Sequence, residues 1–467
     1  MKVAPAVKTQ HTWNGPGGPF AYTATAGFIE IKNENEEVEA KMFYVAYTKD
    51  GEEKSKRPVT FAFNGGPGSS SVWLHMGALG PRRARMNDDG TMPAPPFELV
   101  DNNESWLPFT DVVMIDAIGT GFSRPAKPEL GKKFYGLTGD LNAFTACIKG
   151  WLTEANRWPS PKIVAGESYG GIRVAGLSNT LLQEGIAVNG IISISGVINF
   201  QTIDSARGND LPYITYLPAM TAIAFYHHKL SPSLMKDFSK TVAESETFAN
   251  GEYSAALMMG SSLPAAQRKH IASRLAELTG VSPVYADRAD LRISGGAFRA
   301  ELLRDNWNIL GRYDARLIGR NANGNSQNPE YDPSDTAVTP VFTSAFNDYV
   351  VNELKFKSDE AYRTTGYAFI GPWDYGTRGG YPDTSDSLRR AMTQNPHMKV
   401  MLACGWYDLA CPGFAMKYTI SHLGVEPKLE DNIRFRFFPA GHMMYIDKTS
   451  RESLVKEVGE FVKAATK

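Results

Sequence analysis

The sequence predicts an α/β fold in which helices cover both faces of a mostly parallel central sheet. Short apolar runs alternate with helical patterns before about residue 200 and again after about residue 380, as is typical of such folds. A glycine-flanked serine, in Gly166-Glu167-Ser168-Tyr169-Gly170, stands between one of these runs and a helical pattern. Residues 201–366 are mostly helical in pattern, which indicates a helical insertion between the two alternating regions.

The N-terminal region opens with two β-like runs, 20–32 and 37–47, which predict an antiparallel pair of strands. Strands and helices then alternate, which predicts the parallel part of the sheet. The predicted strands are 59–63, 112–115, 162–165 and 191–195, and the predicted helices are 141–156 and 172–182.

In the middle region, 265–278 and 296–310 are the best helix candidates, and Pro264 suits the first turn of the former. The polar, turn-rich residues 321–335 predict a surface loop. We therefore predict a core of residues 1–200 and 367–467 and an inserted helical cap of residues 201–366. The alternation resumes in the core with a helix at 385–394, strands at 398–403 and 434–438, and an amphipathic helix at 450–465.

Composition excludes several classes of protein. The chain has 467 residues with a formal net charge of −1, so we expect neither a nucleic-acid partner nor a polybasic membrane contact. No apolar run is long enough to span a bilayer. The N-terminus lacks the apolar core of a signal peptide, so we expect a cytoplasmic protein, or a periplasmic or secreted one if a signal peptide has been removed.

The three cysteines, Cys147, Cys404 and Cys411, are too few for a disulfide framework. Cys404 and Cys411 could pair with each other, but we expect buried thiols. No Cys/His cluster has the spacing of metal ligands, so we predict no metal and no other cofactor.

The glycine-flanked Ser168 predicts a nucleophile elbow, the strand-to-helix turn of an α/β-hydrolase. Glycines let the chain turn sharply and expose the serine at the carboxyl edge of the sheet. The pattern occurs by chance in long chains, and the alternative is a solvent-exposed turn serine. The rest of the sequence must therefore supply a base and an acid.

The base and the acid are expected after the serine, in the order serine, acid, histidine. His442 follows the predicted strand 434–438 and is the one histidine placed at a strand's carboxyl end late in the chain. Asp408 follows the predicted strand 398–403, on the loop where the acid belongs. The alternatives are a loop histidine and an aspartate that caps a helix. We predict Ser168, Asp408 and His442 as a catalytic triad.

An oxyanion hole requires two backbone N–H groups, one from the residue after the serine and one from an early strand-end loop. The first would be Tyr169. The second would come from the loop Asn64-Gly65-Gly66-Pro67-Gly68, where glycines expose backbone N–H groups. This loop lacks the lysine and the spacing of a phosphate-binding P-loop.

Several motifs together resemble the serine carboxypeptidase family (peptidase family S10), with a style closer to its bacterial members. They are the glycine loop with Ser69 and Ser70, the elbow, Gly441-His442-Met443, and the block Ile115-Asp116 with Gly119-Thr120-Gly121-Phe122-Ser123. The resemblance covers residues 40–200 and 380–460, and it implies a serine-type carboxypeptidase that acts on peptides.

The resemblance also implies roles for individual residues. Gly66 and Tyr169 would form the oxyanion hole, and Asn64, Gly65 and Glu167 would bind the terminal carboxylate of the substrate. Glu167 must then hold a proton, because two carboxylates in contact cannot both ionise.

The chain departs from the family at two positions. Ser69 replaces a cysteine, so a disulfide of secreted relatives cannot form. Ala78 replaces a second glutamate, so Glu167 loses its carboxylate partner, and Arg173, Arg82 or Arg83 could compensate. An esterase, amidase or acyltransferase that acts on a small acyl substrate is therefore an alternative, and a non-enzymatic binding protein is a further one. The sequence predicts no oligomeric state.

Overall fold

The computed structural model describes residues 5–377 and 380–467. Strands β1 to β14 are, in chain order, Val7–Trp13, Phe20–Lys32, Val38–Lys49, Val59–Phe63, Arg82–Ala84, Leu99–Asp101, Asp111–Ile115, Arg124–Pro125, Lys162–Glu167, Gly190–Ile194, Asn308–Leu310, Ile318–Arg320, Lys399–Gly405 and Ile433–Phe438. Helices α1 to α15 are Val72–Leu74, Leu137–Glu154, Gly170–Gln183, Leu211–Tyr226, Phe238–Phe248, Ser254–Met259, Ala265–Thr279, Pro283–Arg288, Gly295–Glu301, Pro333–Asn352, Tyr367–Ile370, Ser385–Gln394, Gly413–Ser421, Pro427–Glu430 and Lys448–Ala465.

One large sheet organises the chain, in the order β1-β2-β3-β7-β4-β9-β10-β13-β14, with β8 paired to β3. The first three strands are antiparallel to their neighbours, as β3 is to β7. From β7 to β14 every neighbouring pair is parallel. The carboxyl ends of β4, β9, β13 and β14 therefore meet at one edge of the sheet. This is the α/β-hydrolase architecture that the sequence predicts.

Both faces of the parallel strands are buried, because successive side chains alternate between two hydrophobic clusters. On β9, Ile163 and Ala165 belong to the first cluster and Val164 to the second. The first cluster includes residues of α10 and α15, and the second includes residues of α2, α3 and α12. Burial on both faces explains why these strands are continuous apolar runs in the sequence.

A third hydrophobic cluster lies outside these layers and is formed mainly by helices α4 to α9. It also contains Tyr407 and Leu409, from the loop after β13, so the helical region packs on that loop. Helix α10 packs instead with the sheet, through residues such as Phe342 and Phe346. The division into core (1–200 and 367–467) and cap (201–366) stays a prediction, and the packing of α10 favours a cap that ends before Pro333.

Most predicted elements are confirmed to within a few residues, and 59–63 and 385–394 coincide with β4 and α12. The helix predicted at 296–310 is wrong in its second half. Helix α9 ends at Glu301, a 3₁₀ turn follows at Arg304–Asn306, and Trp307, with a φ of +61°, leads the chain into β11. Arg299 Nε donates to the carbonyl of Leu310 over 2.9 Å and so joins α9 to β11. Pro264 caps α7 rather than standing in its first turn.

The three cysteines are free and buried, which confirms the expected thiols. Within residues 5–377 and 380–467, no helix is long and apolar enough to cross a bilayer. The same residues contain no group of three or more histidine, cysteine, aspartate or glutamate side chains arranged to hold a metal ion.

Candidate active site

Ser168 lies at the tight turn between β9 and α3. Its φ is +64°, in the left-handed region that residues other than glycine rarely adopt. The turn is fixed by three backbone hydrogen bonds. Ser168 N–H donates to the carbonyl of Ile194 (3.1 Å), and the carbonyl of Ser168 accepts the N–H groups of Gly171 (2.8 Å) and Val197 (3.2 Å). This strained turn places Ser168 at the carboxyl edge of the sheet, where it lines a pocket.

His442 and Asp408 form a buried pair at the same edge of the sheet. The distance between His442 Nδ1 and Asp408 Oδ2 is 2.7 Å. The other carboxylate oxygen of Asp408 accepts the backbone N–H groups of Ala410 (2.7 Å) and Cys411 (2.9 Å). These bonds fix the carboxylate and leave Nε2 of the imidazole for another partner. His442 lines the same pocket as Ser168, as a general base would require.

The surroundings of His442 favour its charged form. Burial lowers the pKa of His442, but the charge and the hydrogen bond of Asp408, together with the charge of Glu167, outweigh burial and raise that pKa. The site therefore stabilises the imidazolium that forms when a histidine takes a proton from a serine.

The glycine loop after β4 lies directly against the elbow. A Cβ atom on Gly65 would come within 2.4 Å of the backbone nitrogen of Tyr169, and Gly66 has a φ of +108°. Both positions therefore require glycine. In the described part of the chain, neither Gly66 N–H nor Tyr169 N–H donates to a protein acceptor, so both are available to an oxyanion.

A buried ion pair fastens this loop to the elbow helix. Arg173 of α3 is fully buried, with its Nε 2.7 Å from Asp140 Oδ2, and its guanidinium also donates to the carbonyl of Asn64. Arg173 is therefore engaged inside the protein and does not face the pocket. Arg82 and Arg83 do not line the pocket either, so the compensation considered from the sequence does not come from these arginines.

Glu167 is buried beside Ser168 and shares its surroundings with Asn64 and Tyr445. Asn64 Oδ1 accepts the backbone N–H of Leu74 over 2.9 Å, which leaves the amide nitrogen as a donor towards Glu167. The Tyr445 hydroxyl faces both the carboxyl group of Glu167 and the side chain of Asn64. Oxygen Oε2 of Glu167 and the Tyr445 hydroxyl have no hydrogen-bond partner among the described residues.

Burial raises the pKa of Glu167 to about 7. The charge of His442, the nearby Tyr445 hydroxyl and the nearby Asn64 amide lower this pKa, whereas the charge of Asp408 raises it. Glu167 therefore holds a proton in mildly acidic solution without a second carboxylate beside it.

Tyr445 occupies the neighbourhood in which the resemblance implies a second glutamate. Its ring packs against the turn that contains Ala78, because a Cβ atom on Gly77 would lie 2.3 Å from that ring. Sequence reasoning missed Tyr445, although it stands three residues after His442. Its hydroxyl reaches Glu167 only when β9 and β14 are assembled in one sheet.

The pocket at this edge comprises about 670 Å³ of space between atoms, which includes open solvent at its mouth. Six of the eight predicted site residues line it: Asn64, Gly65, Gly66, Glu167, Ser168 and His442. The other two contact this set, because Asp408 binds His442 and the nitrogen of Tyr169 adjoins Gly65. The eight residues thus lie together, and their individual roles stay predictions.

Nine other lining residues were not predicted as site residues, although Ser69 and Met443 stand in the motifs described above. They are Ser69, Trp73, Arg312, Tyr313, Asp335, Val338, Thr365, Tyr367 and Met443. Ser69, which stands where relatives have a cysteine, accepts a 2.7 Å hydrogen bond from Trp73 Nε1. No local motif marks Arg312 or Asp335, since each reaches the pocket only through the tertiary fold.

Comparisons with known proteins agree with this geometry. The family model for serine carboxypeptidases (peptidase S10) matches residues 16–436. A curated "Serine carboxypeptidase-like 36" of Arabidopsis thaliana is 26% identical over 209 residues, 44% of this chain. A "Serine carboxypeptidase-like" protein of Oryza sativa subsp. japonica is 27% identical over 172 residues, 35% of this chain. The matches span only 39% and 37% of the lengths of these two relatives.

Among solved structures, the fold is similar to that of Kex1(delta)p, a prohormone-processing carboxypeptidase from Saccharomyces cerevisiae, with a TM-score of 0.58. The sequence identity is 18%, and the match covers 94% of this chain and 91% of that one. The family match spans most of the chain and includes the loop, the elbow and the acid. The chain therefore belongs to the serine carboxypeptidase family of hydrolases.

Proposed function

We propose that this protein is a serine carboxypeptidase that releases C-terminal residues from peptides through an acyl-enzyme on Ser168. The observation that carries the proposal is a buried Glu167, with a pKa of about 7, beside Asn64 and Ser168. A protonated carboxyl group donates a hydrogen bond to a substrate carboxylate, whereas an ionised one would repel it. A substrate whose terminal carboxylate binds there presents its last peptide bond to the serine.

In this mechanism His442 takes the proton of Ser168 as the hydroxyl attacks the carbonyl carbon of that bond. Asp408 holds the imidazole in the required tautomer and stabilises the imidazolium. The N–H groups of Gly66 and Tyr169 stabilise the tetrahedral oxyanion. His442 then gives its proton to the leaving amine, and water, activated by the same imidazole, releases the acyl group from Ser168.

The esterase or acyltransferase alternative depended on the loss of a carboxylate at Ala78. Burial of Glu167 supports a proton on this residue without that carboxylate, because it outweighs Tyr445 and Asn64, which lower the pKa of Glu167. We therefore favour peptides as the substrate. The buried thiols of Cys147, Cys404 and Cys411 suit a reducing compartment, and we propose the cytoplasm on that ground alone.

An N-blocked dipeptide, its C-terminal amide and an aryl ester test this proposal. We expect hydrolysis of the peptide to exceed that of the amide, because only the peptide offers a carboxylate to Glu167. Ser168→Ala should lower kcat/KM for every substrate by roughly 10⁴- to 10⁶-fold with an unchanged circular dichroism spectrum. Ser273→Ala, on the exposed face of α7, is the matched control. Hydrolysis of the ester alone would rule out the carboxypeptidase, and full activity of Ser168→Ala would rule out the nucleophile.

A further inference from the structure

Arg312 brings a positive charge to the wall of the pocket that contains Ser168. Its backbone is fixed on both sides: its N–H donates to Asp332 Oδ1 over 2.9 Å, and its carbonyl accepts the N–H of Leu409 over 3.0 Å. The residue is nevertheless exposed, and its guanidinium lies 5.6 Å from the ring centroid of Tyr313. A fixed backbone therefore presents an accessible guanidinium to the pocket.

Neighbouring arginines are paired with acids, but Arg312 is not. Arg299 lies 3.6 Å from a carboxylate oxygen of Asp332, and Arg316 lies 2.7 Å from one of Asp314. In the part of the chain that the structure describes, no aspartate or glutamate oxygen lies within 4.0 Å of the Arg312 guanidinium. Arg312 is also the one arginine or lysine among the described residues that line the pocket.

An accessible, unpaired guanidinium in a concave site suits a carboxylate, which it can bind through two parallel N–H groups. Two acids share the pocket with it, Glu167 and Asp335, and Asp335 accepts a hydrogen bond from Thr339 over 3.2 Å. Burial raises the pKa of Asp335, which weakens it as a competitor for the guanidinium. A carboxylate of the substrate is thus the natural partner of Arg312.

The position of Arg312 indicates which part of a peptide it meets. Its carbonyl accepts the N–H of Leu409 on the loop after β13, whereas Asn64 lies on the loop after β4. In the sheet, β9, which ends at the elbow of Ser168, stands between β4 and β13. Arg312 therefore lies on the β13 side of the serine, away from the proposed site of the terminal carboxylate. A peptide whose terminal residue binds on the β4 side places the residue whose carbonyl is attacked on the β13 side.

We propose that Arg312 is a specificity-determining residue that binds the acidic side chain of the penultimate residue of the peptide, which gives a preference for glutamate or aspartate there. The proposal rests on the proposed function and deepens it by naming a substrate class. In this scheme the terminal carboxylate of the peptide binds beside Glu167, and the acidic side chain of its penultimate residue binds Arg312, which takes no part in the catalytic steps.

N-blocked dipeptides with Glu, Gln or Lys as the penultimate residue, and one common C-terminal residue, test this inference. We expect kcat/KM for the Glu peptide to exceed that for the Gln peptide by roughly 10- to 100-fold. Arg312→Met should abolish this ratio, and Arg312→Glu should shift the preference to the Lys peptide. Arg320→Met removes an exposed guanidinium that lies over Trp307, outside the pocket, and should keep the wild-type ratio.

The outcomes separate this inference from the proposed function. Hydrolysis of the Gln peptide tests for carboxypeptidase activity, whereas the ratio of kcat/KM for the Glu peptide to that for the Gln peptide tests the role of Arg312. Equal rates for these peptides, or a preference confined to a C-terminal glutamate, would overturn the inference and leave the carboxypeptidase intact. If no peptide is cleaved, calorimetry with Ser168→Ala decides: tighter binding of the Glu peptide that Arg312→Met abolishes supports the inference, and equal affinities overturn it.

Discussion

At the scale of single residues, the proposed role of Glu167 predicts that peptide hydrolysis and ester hydrolysis respond differently to pH. An ester needs only a neutral His442, so its hydrolysis should rise with pH. A peptide also needs a proton on Glu167, whose pKa is about 7, so its hydrolysis should fall above neutral pH. The difference between the two pH profiles therefore isolates Glu167 from the triad.

Tyr445→Phe should move the alkaline limb of peptide hydrolysis to higher pH by about one unit. The hydroxyl stabilises the ionised form of Glu167 and so lowers its pKa, and its removal lets that pKa rise further. The measurement is kcat/KM against pH for an N-blocked dipeptide. The aryl ester is the internal control, because its profile should not move. An unchanged peptide profile would show that the hydroxyl does not act on Glu167.

Glu167→Gln should stabilise the protein at pH 8 more than at pH 5. The pKa of Glu167 is about 7 in the folded protein against 4.5 for an ordinary glutamate, so between these values the folded state binds a proton that the unfolded state does not. Wild-type stability therefore falls as pH rises from 4.5 to 7, by about 3 kcal/mol in total. Glutamine does not titrate and removes this loss.

Melting temperatures of the wild type and Glu167→Gln at pH 5 and pH 8 test that expectation. The control is Gln201→Glu, an exposed substitution on the turn after β10, which shows how much one surface carboxylate changes the melting temperature between these two pH values. An equal difference between wild type and Glu167→Gln at both pH values would mean that Glu167 has an ordinary pKa in the folded protein.

At the scale of elements, the pair between Arg173 of α3 and Asp140 of α2 joins two helices to the glycine loop. Asp140→Asn leaves a buried guanidinium without its counter-charge, so we expect a loss of roughly 3–5 kcal/mol in stability. Lys149→Met breaks a half-exposed pair between Lys149 of α2 and Glu184, the residue that follows α3, and should cost less than about 1 kcal/mol. Chemical denaturation measures both, and equal losses would contradict the role of burial.

The elements that sequence patterns predict best are those whose environment is uniform along the chain. Strands such as β4 are buried on both faces and read as unbroken apolar runs. The turn after Glu301 could not be read in this way, because Trp307 adopts a left-handed φ of +61° although it is not a glycine. Local propensity continues the helix there, and only the folded chain shows the pairing of β11 with β12 that replaces it.

At the scale of the whole molecule, the sheet brings together residues that are far apart in the sequence. The order of Ser168, Asp408 and His442 after their strands was predictable, because parallel strands end at one edge. The surroundings of the triad were not. Tyr445 and Arg312 carry no motif, and their relation to Glu167 and His442 depends on how β14 and the helical region pack.

The buried thiols give a prediction for the whole molecule. Cys147, Cys404 and Cys411 are buried and unpaired, so the native protein should react slowly with an aromatic disulfide reagent. Three equivalents of thiol should appear once the protein is unfolded in denaturant without a reductant. A single equivalent would reveal a disulfide between two of these cysteines and would contradict the free thiols.

The left-handed backbone of Ser168 has a consequence for the evolution of the protein. At a φ of +64°, glycine would relieve backbone strain, yet glycine carries no nucleophile. Selection for stability and selection for turnover therefore act in opposite directions on this one codon. A lineage that no longer needs the reaction can gain stability by a single substitution here. A glycine at this position in a relative would therefore indicate a protein that has kept the fold and lost the activity.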